Sequence, residues 1–166
     1  MTSDYEKVLD AILTANSVCF FATGDAVASC YFASSKFARL GVRTMVCSDV
    51  VYQYETAMRL TEKDVAFAIT SSGRSSNVVN AMKLSKNQNA FTCCITQSIK
   101  SPLLKYCDVQ MFISNVDTTI GRDSVTKRIA EITIIEALYL GIINKGTGDY
   151  MQMLQNTMLS SEMNKV

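Results

Sequence analysis

The chain contains no histidine and no Cys-x-x-Cys pair, and these two gaps remove the common zinc sites. Its six cysteines, at 19, 30, 47, 93, 94 and 107, fall mostly inside apolar strand-like runs. That pattern reads as buried free thiols in a reducing compartment. No apolar run approaches the roughly 20 residues of a membrane span, and no basic segment with a cleavage site opens the chain. A cytoplasmic protein without membrane contact is the expectation, with neither metal nor cofactor. Charge of one sign is also lacking: the net charge is +1, and Lys and Arg are scattered. The electrostatic footprint of a nucleic-acid binder is therefore absent, and a bound anion must be held locally. There is no internal repeat, low-complexity segment or linker. The 166 residues, 48% apolar and 19% charged, suit one globular domain with a real core.

One stretch organises the rest, Asp64 to Asn77. Asp64-Val65-Ala66-Phe67-Ala68-Ile69 is a short apolar run with the character of a buried parallel strand. Thr70-Ser71-Ser72-Gly73-Arg74-Ser75-Ser76 crowds hydroxyls around one glycine, and Val78, Val79 and Met82 then begin a helical pattern. A strand that turns through small hydroxylated residues into a helix presents free N–H groups at the positive end of the helix dipole. Phosphate fits such a place; an ordinary N-cap on a serine-rich loop is the alternative.

Along the chain, Ser3-Asp4-Tyr5-Glu6 has capping-box spacing before a first helix over 4–16. A strand over 17–22 leads through the tight turn Thr23-Gly24-Asp25 into a helix that ends at Leu40-Gly41, with Val27, Cys30, Tyr31, Phe37 and Ala38 on one side. Val42–Cys47 is a second strand. Ser48 or Asp49 caps a short helix with a Val51, Tyr54, Met58 stripe. After the organising strand, strands follow over 90–96 and 108–114, with a helical turn at Ser101-Pro102-Leu103-Leu104 between them. A polar loop over 115–123 precedes a long helix, 124–144, apolar nearly all round, which suggests a subunit contact. A last helix over 147–160 presents Tyr150, Met153, Leu154, Thr157 and Met158, and the tail from Ser160 reads as frayed. Strands alternating with helices predict a parallel sheet covered on both faces, with ligands at the C-terminal strand ends.

Several pieces together resemble the sugar isomerase (SIS) domain: Phe20-Phe21-Ala22-Thr23-Gly24, Leu60 before Asp64-Val65, Thr70 to Ser75, and Cys94-Ile95-Thr96. Ser101-Pro102-Leu103 with Asp108, and Arg128-Ile129-Ala130 with Glu136-Ala137-Leu138-Tyr139, resemble the effector-binding half of RpiR-type regulators. The match runs from about residue 5 to residue 145. It implies a three-layer αβα sandwich around a five-stranded parallel sheet, flavodoxin-like, as one domain over 1–166. It also implies a phosphosugar ligand and a homodimer or tetramer. In that family the phosphate is held by the turn matching Thr70, Ser71, Ser72, Gly73 and Ser75. A second contact comes from a Gly-x-Gly-x-Ser turn; here Gly24 is kept, while Ala22 and Ala26 replace the first glycine and the serine. A helix-turn-helix domain ahead of the first helix is normal for such a regulator, and DNA contact is expected only through it. The chain then reads as an effector domain cut from a longer protein, or as a free-standing relative.

Candidate sugar contacts are Gly24, Asp25, Arg74, Arg128 and Glu131. Each has a plainer reading: an N-cap for Asp25, an exposed cation for Arg74, and a surface or inter-subunit ion pair for Arg128 with Glu131. Glu136 reads as capping or pairing within the helices. The leading functional expectation is a sensor module that binds a sugar phosphate and is not an enzyme. A phosphosugar isomerase with Glu131 as base is the alternative, although ring opening without histidine would need Lys, Glu or Tyr. A third reading is a fold that binds nothing and serves assembly, because Ala22 and Ala26 lack the usual groups.

Overall fold

A computed structural model of the chain describes residues 3–114, 119–120, 123–146 and 149–162. Five strands, β1 (Ser17–Phe21), β2 (Thr44–Cys47), β3 (Asp64–Ile69), β4 (Phe91–Thr96) and β5 (Val109–Phe112), form one parallel sheet in the order β2-β1-β3-β4-β5. In register, Phe20 sits between Val46 and Phe67, and Phe67 beside Cys93. The helices are α1 (Asp4–Thr14), α2 (Ala26–Ala38), α3 (Val50–Arg59), α4 (Ser76–Asn87), α5 (Val125–Lys145) and α6 (Asp149–Glu162), with a 3₁₀ turn at Pro102–Tyr106. A two-residue antiparallel pair, β6 (Thr119–Ile120) with β7 (Asp123–Ser124), interrupts the segment expected to be loop. The rest of that segment, 115–118 and 121–122, and the tail 163–166 lie outside the described residues.

Alternation along the strands divides the core into two layers, because successive side chains leave opposite faces of a pleated sheet. Val18, Phe20, Val65, Phe67, Cys93, Ile95 and Val109 face α1, α2 and α5. Cys19, Phe21, Ala66, Ala68 and Cys94 face α3, α4 and Leu103. The expected three-layer αβα sandwich is thus the observed one. At the centre of the first layer Phe20 meets Phe67 at 5.4 Å and Phe37 at 6.0 Å between ring centroids. All six cysteines are free and buried. Burial pushes the Cys19 thiol up to about 11, so it stays protonated at neutral pH.

Helix starts and stops follow local chemistry. Ser3 and Glu6 form the capping box of α1. Asp49 accepts from Tyr52 N at 3.0 Å and caps α3. Gly41 ends the α2 segment at φ +79°, where a Cβ would lie 2.3 Å from Met153 Sδ.

Five sequence expectations are corrected. α1 ends at Thr14, and α6 continues to Glu162 without fraying at Ser160. α2 buries Ala26, Ser29, Cys30, Ala33 and Phe37, while Tyr31 and Ala38 are exposed. α3 is turned over: Gln53, Thr56 and Ala57 are buried, whereas Val51 is 64% and Met58 51% exposed. Its apolar stripe was the wrong guide because the inward positions carry polar groups that bond the sheet end. On α6, Tyr150, Leu154 and Thr157 are half-buried but Met153 and Met158 are exposed. α5 behaves as its composition suggests for one chain: Ile135, Leu138 and Ile142 are buried, and Ile129 and Leu140 face outward.

Truncating Phe67 to Ala removes the ring that both Phe20 and the α2 layer pack around. Urea denaturation is expected to show a loss of about 3–5 kcal/mol for Phe67→Ala and clearly less for Phe67→Leu. A loss below about 1 kcal/mol would contradict the central place given to this side chain.

Candidate functional site at the sheet edge

Strand order reverses between β1 and β3, since the chain moves outward to β2 after β1 and the other way to β4 and β5 after β3. α2 then covers one face of the sheet and α4 the other. The turns that leave β1 and β3 therefore part, and a crevice opens at their C-terminal ends. Ala22 to Asp25 forms one wall and Thr70 to Ser75 the other.

The second turn is docked on the end of β4. Gln97 N donates to Ser71 O at 3.1 Å, Thr96 Oγ1 donates to the same carbonyl at 3.2 Å, and Thr70 N donates to Ile95 O at 3.1 Å. Gly73 takes a left-handed φ of +60°, and its Cα lies so close to the 3₁₀ turn that a Cβ would come 2.3 Å from Ser101 Oγ. Only glycine meets both demands without strain. Beyond it, Ser75 occupies the N-cap position of α4 with no side-chain capping bond. Among the described residues, the N–H groups of Gly73, Ser75, Ser76 and Asn77 and the hydroxyls of Thr70 and Ser75 have no partner. These free donors lie at or just before the positive end of a twelve-residue helix.

In front of this turn is a cleft of about 270 Å³ lined by Ser71, Ser72, Arg74, Gln97 and Ser98. Ser72 Oγ accepts from Arg74 N at 3.3 Å, which leaves its own hydrogen free, and the Arg74 side chain is exposed at the mouth. The largest of the other hollows described carries the wrong chemistry for an anion. A groove of about 660 Å³ between α1 and α5 has mainly apolar walls, including Tyr5, Leu9 and Leu140.

The first turn leads to a separate polar group. Gly24 has φ +62° and faces open space. Asp25, 68% exposed at its side chain, makes no capping bond and instead lies 3.2 Å from Arg128 Nη2. Ser29 Oγ donates to Glu131 Oε2 at 2.5 Å, and Arg128 Nη1 donates to Ser29 Oγ at 2.9 Å and to Glu131. The Arg128–Glu131 pair is therefore formed within one chain, with Glu131 buried and Arg128 half-buried. Burial pushes the Glu131 carboxyl above its ordinary value, although Ser29 and Arg128 pull the other way. Its Oε1 has no partner among the described residues. No hydrogen bond or ion pair among the described residues joins this group to the Thr70–Ser75 turn. Glu136 pairs with Lys36 of α2 at 2.7 Å.

Several site residues escaped sequence reasoning. Gln97 and Ser98 follow β4, and the rule that ligands sit at strand ends would have pointed to them. Gln53 and Asn77, bonded to each other at 3.2 Å, meet beneath the crevice and carry no local signal. Among the described residues no group of three or more His, Cys, Asp or Glu side chains forms a metal site, and no helix is long and apolar enough to cross a membrane.

Comparison with known proteins agrees with this architecture. The HTH-type transcriptional regulator RpiR of Escherichia coli is 31% identical over 122 residues, 74% of this chain and 41% of that protein. An uncharacterized HTH-type transcriptional regulator of Caldanaerobacter subterraneus is 29% identical over 160 residues, 96% of this chain and 57% of the relative. The chain spans about half the length of these curated relatives. The structure of Vibrio vulnificus NanR complexed with ManNAc-6P matches with a TM-score of 0.88 at 15% identity, covering 95% of this chain and 60% of the other. The sugar isomerase domain of an RpiR transcription factor from Sphaerobacter thermophilus matches with a TM-score of 0.81 at 18% identity, covering 93% and 84%. At those identities the structural likeness is one of fold. The family profile described as SIS domain aligns with residues 11–141, most of the chain and every strand of the sheet, and on that match the chain belongs to the SIS domain family.

Proposed function

We propose that this chain is a sugar-phosphate-binding, effector-sensing module of an RpiR-type transcriptional regulator. The observation that carries the reading is the turn from Thr70 to Ser75, which leaves amides and hydroxyls unpartnered at the start of α4 and lines a polar cleft with Ser71, Ser72 and Arg74. Thr70, Ser71, Ser72, Gly73 and Ser75 hold the phosphate, and Arg74 at the mouth neutralises part of its charge. Gly24 and Asp25 form the opposite wall, toward which the sugar extends, with Arg128 and Glu131 behind. The relatives support the regulator half of the reading, since they are HTH-type transcriptional regulators, and NanR was solved with an amino-sugar phosphate. DNA contact in this reading belongs to a helix-turn-helix domain and not to the sheet domain. The outward Ile129 and Leu140 of α5 and the apolar groove beside α1 supply a subunit contact for a homodimer or tetramer. A cytoplasmic setting goes with that role.

Isomerisation with Glu131 as base is the competing reading. It draws on the raised Glu131 carboxyl and on fold neighbours described as putative sugar-phosphate isomerases. Against it, Glu131 is 1% exposed and one of its oxygens is committed to Ser29 and Arg128. A base has to reach the substrate's carbon-bound proton.

Ser72→Ala is expected to weaken hexose 6-phosphate binding by about fivefold, the worth of about one hydrogen bond, measured by calorimetric titration. An unchanged affinity removes Ser72 from the site. Prolonged incubation of concentrated protein with the bound sugar phosphate should yield no aldose–ketose interconversion; turnover would establish the isomerase.

A further prediction concerns Glu131 alone. Its folded-state carboxyl titrates above the unfolded one, so its contribution to stability is full below about pH 4.3 and is lost as pH rises through the folded value. Glu131→Gln should therefore unfold close to the wild type at pH 4 and gain on it between pH 4 and 7 in thermal melts. A gap that stays constant across that range would show that burial does not penalise the ionised form.

A further inference from the structure

Gln53 lies on the inward face of α3 and is 0% exposed. A buried primary amide must place two hydrogens and a carbonyl oxygen. Gln53 Nε2 donates to Ala22 O at 2.7 Å and to Cys47 O at 2.8 Å, and Oε1 accepts from Asn77 Nδ2 at 3.2 Å. The orientation of the amide is unambiguous, since only the NH₂ end can face two carbonyls.

The three partners sit at the ends of three different elements. Ala22 follows β1 and opens the first turn, Cys47 closes β2, and Asn77 lies in the first turn of α4, two residues past Ser75. β1 and β3 pair as far as Phe21 and Ala68. Beyond that point Thr70 N goes to Ile95 of β4, while Ala22 O goes to Gln53. The crevice therefore begins where Gln53 takes over from the sheet ladder. Gln53, through the Asn77 side chain, ties the wall that carries Gly24 to the helix start that carries Ser75.

We propose that Gln53 and Asn77 form a cross-brace beneath the crevice that sets the spacing of its two walls, so that Gln53 is a positioning residue for a ligand reaching both. This rests on the sugar-phosphate reading above. A phosphate ion touches only the Thr70–Ser75 turn and the start of α4 behind it, all on one wall, and does not sense the spacing. A hexose phosphate, anchored at that turn and extended toward Gly24, does. The brace therefore shows itself as a difference between the two ligands, which a merely structural role would not produce.

The test is calorimetric titration with inorganic phosphate and with N-acetylmannosamine 6-phosphate, fructose 6-phosphate and ribose 5-phosphate, the tightest of the three serving as probe. Wild type is compared with Asn77→Ala, Gln53→Leu, the double variant, and Thr56→Ala as a buried control on the same face of α3. Each brace variant should lower sugar-phosphate affinity by about tenfold and leave inorganic phosphate within about twofold. The double variant should be no worse than the weaker-binding single one, because both changes break one linkage. Thr56→Ala should leave the ratio of the two affinities unchanged. Gln53→Leu strands two buried carbonyls; if it does not fold, Asn77→Ala decides, since it opens the brace while leaving both Gln53 donor bonds in place. Equal losses for both ligands, no loss for either, or additive losses would overturn the brace while leaving the sugar-phosphate reading intact. Wild type that binds neither inorganic phosphate nor any of the three sugars rejects that reading, and the brace with it.

Discussion

Neighbouring parallel strands whose following helices lie on opposite faces of the sheet cannot close over their own ends. β1 and β3 are such a pair, with α2 on one face and α4 on the other. Most of what is distinctive about this domain follows from that geometric fact. The ladder between the two strands stops at Phe21 and Ala68, and the backbone beyond it needs other partners. Part of the demand is met internally, by Gln53 for Ala22 and by Ile95 for Thr70. The remainder, at the start of α4, is left as free donors. Glycines stand where each wall bends, Gly24 at φ +62° and Gly73 at φ +60°, and Gly73 has no room for a side chain.

Charge is used sparingly at this edge. The chain has a net charge of only +1, and Arg74 is the one cation lining the cleft. An anion on such a surface is held by oriented amides and hydroxyls more than by salt links, as at other helix N-termini. The Arg128 group then has a physical reason. Asp25 lies on the first wall and Glu131 behind it, and two bare carboxylates there would oppose an anion. Arg128, bonded to Ser29 and Glu131 and 3.2 Å from Asp25, counters both. Desolvation still pushes Glu131 upward, so the compensation is incomplete.

Local signals made much of this legible. The strands announced themselves as apolar runs, the capping box of α1 and Gly41 marked boundaries, and the hydroxyl-rich turn after β3 stood out against an otherwise ordinary composition. What could not be read depends on residues distant in sequence. Arg128 and Glu131 are recognisable as an i, i+3 pair, but their burial depends on Ser29, about a hundred positions earlier. Gln97 and Ser98 matter only because β4 sits beside β3. α3 misled for a different reason. Its apolar residues suggested an inward stripe, yet the space beneath it is taken by polar sheet ends, so Gln53 faces in and Val51 faces out. Amphipathicity identifies a core face only where the core beneath is apolar, and at a strand-end crevice it is not.

The same reversal that opens the crevice brings one wall against α5. Asp25, in the turn after β1, reaches Arg128 on α5, and the next residue along that helix, Ile129, points outward with Leu140 farther down. On the sensing reading, a ligand that draws Asp25 toward a sugar hydroxyl competes directly with Arg128 for the same carboxylate. Any shift of Arg128 acts on a helix whose outer side is apolar and available for a subunit contact. Ligand and partner thereby bias one element from its two sides, which is the physical requirement for coupling between sites. Among the described residues the Thr70–Ser75 turn has no comparable link to α5, so on that reading the anchor and the signal are separate. On the sensing reading, phosphate would hold the ligand on the β3 side, and the β1 side, where the sugar's own hydroxyls would arrive, is the side connected to α5.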